Sequence, residues 1–117
     1  VHLSENTTLR SMLSKQEKNQ LLYGAICAAP AMCLSQMGFL DNVKTATCYP
    51  SPKFTAMLGD KYINERVVVS ETTIDGSIGK VITSQGPGTA IDFSLKVVEE
   101  LVSKEKRDIV SKAMLVD

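Results

Sequence analysis

The chain has 117 residues, a formal net charge of zero, and 44% hydrophobic against 22% charged residues. This is the composition of about one globular domain, and it excludes a collagenous, low-complexity or disordered chain. Charge balance at a pI of about 6.8 argues against an electrostatic nucleic-acid binder, and no apolar run approaches the roughly 20 residues that span a bilayer.

Within residues 5–19, Leu9, Met12 and Leu13 are spaced i, i+3, i+4. They predict a surface helix with one apolar stripe, capped by Ser4 or Asn6, with Glu5 favourable to its dipole. Leu21-Leu22-Tyr23-Gly24-Ala25-Ile26-Cys27 is almost wholly apolar and reads as a strand buried on both faces, as in a parallel sheet. Ala28 to Met37 reads as a helix with Pro30 in its first turn and Gly38 as its C′ residue. Val43 to Cys48 reads as the next strand, ended by Tyr49-Pro50-Ser51-Pro52, and Lys53 to Leu58 as a short helix or turn closed by Gly59. Arg66 to Thr72 is β-branched and reads as a strand, Asp75-Gly76 as a hairpin turn, and Lys80 to Ser84 as the return strand. After Gln85-Gly86-Pro87-Gly88, Thr89 caps a long helix to about Lys104, with Ile91, Leu95, Val98 and Leu101 or Val102 on one face. Lys104 to Arg107 is expected as a charged, solvated bend, and Asp108 to Leu115 as a last helical stretch.

This alternation predicts an α/β domain with a mostly parallel sheet. About four strands is thin for a sheet covered on both faces. The helix also starts abruptly after Val1-His2-Leu3, with no initiating Met and no basic stretch before an apolar core. The expectation is that 1–117 is the C-terminal part of a single domain of a longer product, cut or truncated in a loop. Three cysteines, Cys27, Cys33 and Cys48, are an odd number for a disulfide framework and fit a reducing, cytoplasmic compartment. With no Cys-x-x-Cys and His2 as the sole histidine, no metal site is expected.

The feature that carries chemistry is Gly24-Ala25-Ile26-Cys27-Ala28-Ala29-Pro30. A buried strand runs straight into a helix with Cys at the junction, which is the pattern of a nucleophile elbow at the C-terminal edge of a sheet. Small neighbours let backbone approach the turn. The helix N-terminus beside the sulfur favours its thiolate, and the N–H of Ala28 can donate to an oxyanion or a sulfinate. The other reading of Cys27 is a small buried hydrophobe ending a strand. Cys33 reads as structural. Cys48 ends the next strand and shares the edge with Cys27, as a buried side chain or one that approaches the site. Ser84 to Ala90, with two glycines around Pro87, reads as a tight turn positioning the last helix, or as an anion-cradling loop. It lacks the Lys of a P-loop and the spacing of a dinucleotide fingerprint.

Three segments together, Ala25-Ile26-Cys27-Ala28-Ala29-Pro30, Ala46-Thr47-Cys48-Tyr49-Pro50 and Ile82-Thr83-Ser84-Gln85-Gly86-Pro87-Gly88-Thr89-Ala90, strongly resemble the ThiJ/PfpI superfamily. The nearest branch is that of the parkinsonism-associated protein deglycase and of bacterial proteins named for thiazole biosynthesis. The Leu3-Ser4-Glu5-Asn6 helix start matches too. The resemblance covers essentially the whole chain, and only about the C-terminal three-fifths of a family member. It implies a flavodoxin-like three-layer sandwich whose first strands are absent here, a reactive elbow residue at Cys27, no metal or organic cofactor, and a homodimer. It implies an N-terminal segment of the same protein as partner, carrying the glutamate that hydrogen-bonds the Cys sulfur. Cys48, Tyr49, Gln85, Gly86 and Pro87 fall where site-lining residues of the family lie. Where several members carry His before the proline, this chain has Cys48-Tyr49, and Gln85 stands where some have Arg.

The expected function is a cysteine-dependent glyoxalase or deglycase, a hydrolase or lyase acting on methylglyoxal, glyoxal or glycated protein and nucleotide groups. Thiolate Cys27 would attack the carbonyl carbon to give a hemithioacetal, with the N–H of Ala28 holding the oxygen. The alternative is a non-catalytic oxidative-stress sensor or chaperone whose Cys27 oxidises to sulfinate. A third reading, an amidotransferase-like or hydrolase fragment, wants a His paired with the Cys, which the lone His2 does not supply.

Overall fold

The computed structural model describes residues 3–116. Val1, His2 and Asp117, and with them the abrupt start and the sole histidine, lie outside the described residues.

Helix α1 (Thr7–Lys18) begins at Asn6, whose side-chain oxygen accepts from the Leu9 N–H at 2.8 Å. Asn6, rather than Ser4, satisfies an orphan donor of the first turn. The expected stripe is narrower than its spacing implies: Leu13 is buried and Leu9 half-buried, but Met12 is 62% exposed.

Strands β1 (Tyr23–Ile26), β2 (Val67–Ile74) and β3 (Ser77–Ser84) form one sheet in the order β1–β3–β2. β1 runs parallel to β3, and β2 runs antiparallel to it, so the sheet is mixed. The hairpin forms at the expected Asp75-Gly76, with both residues at positive φ (51° and 83°), the geometry that matches the strand twist. β1 was expected to be buried on both faces. It is instead an edge of the described sheet, with Tyr23 buried and Gly24 exposed, because no described strand lies on its other side.

One sheet face carries Tyr23 and Val81, which join Leu13, Ala31, Leu34, Leu40 and Val43 in the core. The helix after β1 contributes to that layer. It runs Pro30–Ser35 in the wide π form rather than as an α-helix to Met37, with Gly38 at φ 86° turning the chain away. The opposite face is covered by α3 (Ala90–Leu101), and Ile82, Phe93 and Val97 line a cleft between the two. Helices on both faces of a sheet make an α/β sandwich. Of the stripe expected on α3, Leu95 is buried, whereas Ile91, Leu101 and Val102 are exposed. The bend after α3 falls at Val102-Ser103, and Lys104 to Arg107 is the first turn of α4 (Lys104–Ala113) rather than a bend. The cause is Ser103, whose hydroxyl accepts from the Lys106 N–H at 3.0 Å and starts a new helix.

The second departure is Val43 to Cys48. It makes one bridge, Ala46 with Tyr62, and no strand. Its polar groups go elsewhere. Thr45 hydrogen-bonds Ser70 of β2 at 2.8 Å between hydroxyls, the Thr47 N–H donates to the Thr83 hydroxyl of β3 at 2.9 Å, and the Tyr49 N–H donates to the Cys27 carbonyl at 2.7 Å. Residues 45–49 thus form a strap across the sheet face, tied to β2, β3 and the end of β1 in turn. With the Thr47 N–H taken by a side chain, and those of Ala46 and Tyr49 by the separate carbonyls of Lys61 and Cys27, the segment has no regular ladder to offer a neighbouring strand. Helix α2 (Pro52–Leu58) follows it, starting one residue before the expected Lys53, with Pro52 in its first turn.

Candidate active site

Cys27 sits one residue past β1 with φ at 68°, in the left-handed region. That conformation costs a non-glycine residue about 1–3 kcal/mol and persists only where surroundings enforce it. Here they do. The Cys27 N–H donates to the Ser84 carbonyl at 3.0 Å, extending the β1–β3 ladder, and its carbonyl accepts from Tyr49. The Ala28 carbonyl then accepts from Ala31 and Met32 at 3.1 and 2.8 Å, closing the first helical turn. The strand end at Ile26 and the turn into a helical segment follow the sequence pattern, whereas the positive φ of Cys27 was not read from it. Cys27 is partly exposed, whereas Cys33 and Cys48 are buried.

The strap delivers two further residues to the elbow. Cys48 is fully buried, and its thiol points at the Tyr49 carbonyl, 3.4 Å away. Burial first, and the nearby Cys27 sulfur second, push the Cys48 thiol up to about 11. Tyr49 is exposed, packs edge-on against Phe54 at 6.4 Å between ring centres, and lies over Gly86. Cys27, Cys48, Tyr49 and Gly86 therefore form one neighbourhood. Gln85 turns outward: its amide donates to Asn64 at 2.9 Å. Pro87 is exposed at the tip of the loop. Cys33 belongs to the core, with its sulfur 3.4 Å from that of Met37.

The loop after β3 is held internally. Thr89 accepts from the Gly86 N–H at 3.1 Å and shares a hydrogen bond with the buried Ser84 hydroxyl at 2.6 Å. Arg66 reaches the Gly88 carbonyl at 2.8 Å while pairing with Asp92 at 2.9 Å. With the Gly86 N–H engaged, the segment behaves as the tight turn of the first reading. Ser84, Thr89 and Arg66 are the residues the sequence reading missed. The Ser-Gln-Gly-Pro-Gly-Thr spacing, with a hydroxyl at each end of a glycine turn, was the available signal for the first two.

Among the described residues no group of three or more His, Cys, Asp or Glu side chains could hold a metal ion, and no helix is long and apolar enough to cross a membrane. Against known proteins, the family model described as DJ-1/PfpI matches residues 1–100. The chain belongs to the DJ-1/PfpI family. It is 39% identical to Protein dj-1beta of Drosophila melanogaster, covering 97% of this chain and 56% of that protein. It is 36% identical to the glutathione-independent glyoxalase DJR-1.2 of Caenorhabditis elegans, covering 96% and 55%. The solved structure titled Toxoplasma gondii DJ-1, oxidized, superposes with a TM-score of 0.82 at 33% identity, covering 96% of this chain and 55% of that one. Drosophila DJ-1beta superposes at 0.76, covering 99% and 57%. The fold is the DJ-1 α/β fold with a mixed sheet, and the chain spans about half the length of these relatives.

Proposed function

We propose that this chain is the C-terminal part of a single DJ-1/PfpI domain that acts as a cysteine-dependent glyoxalase or deglycase, with Cys27 as nucleophile. The observation that carries the reading is the partly exposed Cys27 held at φ 68° on a strand-to-helix turn by two backbone hydrogen bonds. The glyoxalase named among the relatives supports the substrate class.

In the proposed step the Cys27 thiolate attacks the aldehyde carbon of methylglyoxal or glyoxal. The S–C bond forms, the carbonyl π pair moves to oxygen, and a proton delivered there completes a hemithioacetal. The N–H of Ala28 helps hold the developing oxyanion. Tyr49 and Gly86 wall the carbonyl, and a carboxyl from outside this chain moves the protons. Two observations support the missing partner segment: coverage of about half of each relative, and an unpaired β1 edge beside an apolar cleft of about 280 Å³ lined by Leu22, Tyr23, Phe93 and Leu101. A homodimer in the cytoplasm belongs to the same proposal.

The second reading, an oxidation sensor with chaperone activity, is favoured by one observation: a matched relative was solved in a form its title calls oxidized. The deciding experiment follows methylglyoxal loss on the complete protein. Cys27→Ala and Cys27→Ser are expected to fall to the uncatalysed rate with the fold intact. Wild-type turnover no higher than that of Cys27→Ala overturns the enzyme reading, and selective oxidation of Cys27 in the same protein then establishes the sensor.

A further inference from the structure

The two cysteines of the elbow neighbourhood do different things, and only one of them is used above. Cys48 lies on the strap next to Tyr49, whose N–H bonds the Cys27 carbonyl at 2.7 Å. The Cα atoms of Cys27 and Cys48 each lie about 2.4 Å from one of the bonded atoms, so they stand within about 7.5 Å of each other. A disulfide needs Cα atoms about 4.4–6.8 Å apart, so this spacing is compatible with one. Cys33, the third thiol, has its sulfur turned to Met37 in the core and is no competitor. We propose that Cys48 is a resolving cysteine, which captures oxidised Cys27 as an intrachain Cys27–Cys48 disulfide and so gives this site a reversible two-electron redox cycle. The proposal rests on Cys27 being the reactive thiol of the reading above.

The cycle balances with a hydroperoxide as oxidant and an external dithiol as reductant. The Cys27 thiolate attacks the distal peroxide oxygen. The O–O bond breaks, and Cys27 sulfenic acid and an alkoxide or hydroxide result. The Cys48 sulfur then attacks the Cys27 sulfur. The S–S bond forms, the S–O bond breaks, and the Cys48 proton leaves with the hydroxyl as water. A dithiol restores both thiols and leaves as its own disulfide.

Two features tune the second step. Cys48 is shielded from solvent while Cys27 is partly exposed, so an oxidant meets Cys27 first. Its raised pKa of about 11 keeps it a thiol at rest. A thiolate fraction of about 10⁻⁴ at neutral pH slows attack, and the intramolecular approach of a sulfur held on the neighbouring segment offsets it. The consequence is a competition. Fast capture by Cys48 protects Cys27 from reaching sulfinate, and without Cys48 a second peroxide carries it there irreversibly.

The test treats the complete protein with excess hydrogen peroxide for timed intervals and maps peptides without reduction. The expected product is a Cys27–Cys48 linked peptide pair lighter by two hydrogens, abolished by dithiothreitol. In Cys48→Ser, with thermal unfolding checked against wild type, Cys27 is expected to gain two oxygens at least tenfold faster per peroxide added. Wild-type Cys27 passing directly to sulfinate with no linked pair, at the Cys48→Ser rate, overturns the proposal and leaves Cys27 reactivity standing. Cys27 untouched by both peroxide and iodoacetamide instead refutes the underlying reading. The wild-type map decides even if Cys48→Ser fails to fold.

Discussion

The backbone N–H of Thr47 rests on the side-chain hydroxyl of Thr83, 2.9 Å away, while the hydroxyl of Thr47 itself is buried without a partner among the described residues. One threonine thus holds the strap to β3 and the other carries an unmet polar group. Thr83→Val should strand the Thr47 N–H in the core and destabilise by about 1–3 kcal/mol. Thr47→Val removes only the orphaned oxygen and should leave the melting temperature unchanged or raised. Thermal or urea unfolding of both variants decides. Equal losses would show that the strap is not held this way.

Two glycines near the elbow look alike in sequence and differ in what a methyl group would meet. At Gly24 an added Cβ would fall 2.4 Å from the backbone oxygen of Ile82. At Gly86 it would lie 3.6 Å from the Tyr49 ring, an ordinary contact. Gly24→Ala should therefore push β1 off β3 and cost about 1–3 kcal/mol, as overpacking does, with Cys27 reactivity falling alongside. Gly86→Ala should stay within about 0.5 kcal/mol of wild type. Unfolding midpoints and Cys27 alkylation rates on both variants check the contrast.

The contrast between hairpin and strap shows what was legible in the sequence. β2, Asp75-Gly76 and β3 carry their signal in adjacent residues, β-branched runs around a turn that needs positive φ. The elbow is local too: an apolar strand, a Cys and a Pro in the first helical turn. The strap is not. Its polymer-like Val-Lys-Thr-Ala-Thr-Cys reads as a strand, and what prevents a strand is hydroxyl groups 25 and 36 residues away, Ser70 and Thr83. The same reason hid the Ser84–Thr89 pair. The outward turn of Gln85 depends on Asn64, again remote in sequence.

Glu17 supplies a pH dependence. Burial raises its pKa above the ordinary 4.5, the Asn42 hydrogen bond works against this, and the charge of Asp41 adds to it. The folded chain therefore binds this proton more tightly than the unfolded chain. The resulting stability is present below the unfolded value, and it is lost as pH rises through the folded value. At neutral pH the half-buried carboxylate, with one oxygen shielded from solvent, is a burden. Glu17→Gln should raise the melting temperature at pH 7, and the gain should shrink toward pH 4.5. A difference that is constant with pH would remove the electrostatic explanation.

Thiol labelling ranks the three cysteines. Cys27 is partly exposed, Cys33 is buried with its pKa raised by burial, and Cys48 is buried with its pKa at about 11. Iodoacetamide at neutral pH should modify Cys27 at least tenfold faster than either of the others, because the thiolate must be both formed and reached. Quantitative mass spectrometry of timed digests gives the order, and Cys33 or Cys48 labelling first would remove Cys27 as the nucleophile.

The left-handed backbone at Cys27 sets a direction for protein engineering. Glycine occupies φ near 68° without the side-chain clash that cysteine suffers, so replacement by glycine removes a local penalty of about 1 kcal/mol. Libraries of this chain selected for heat resistance alone will drift toward glycine at position 27 and discard the thiol, while selection for chemistry will hold the less stable residue in place. Thermostability and reactivity are opposed at this one backbone angle.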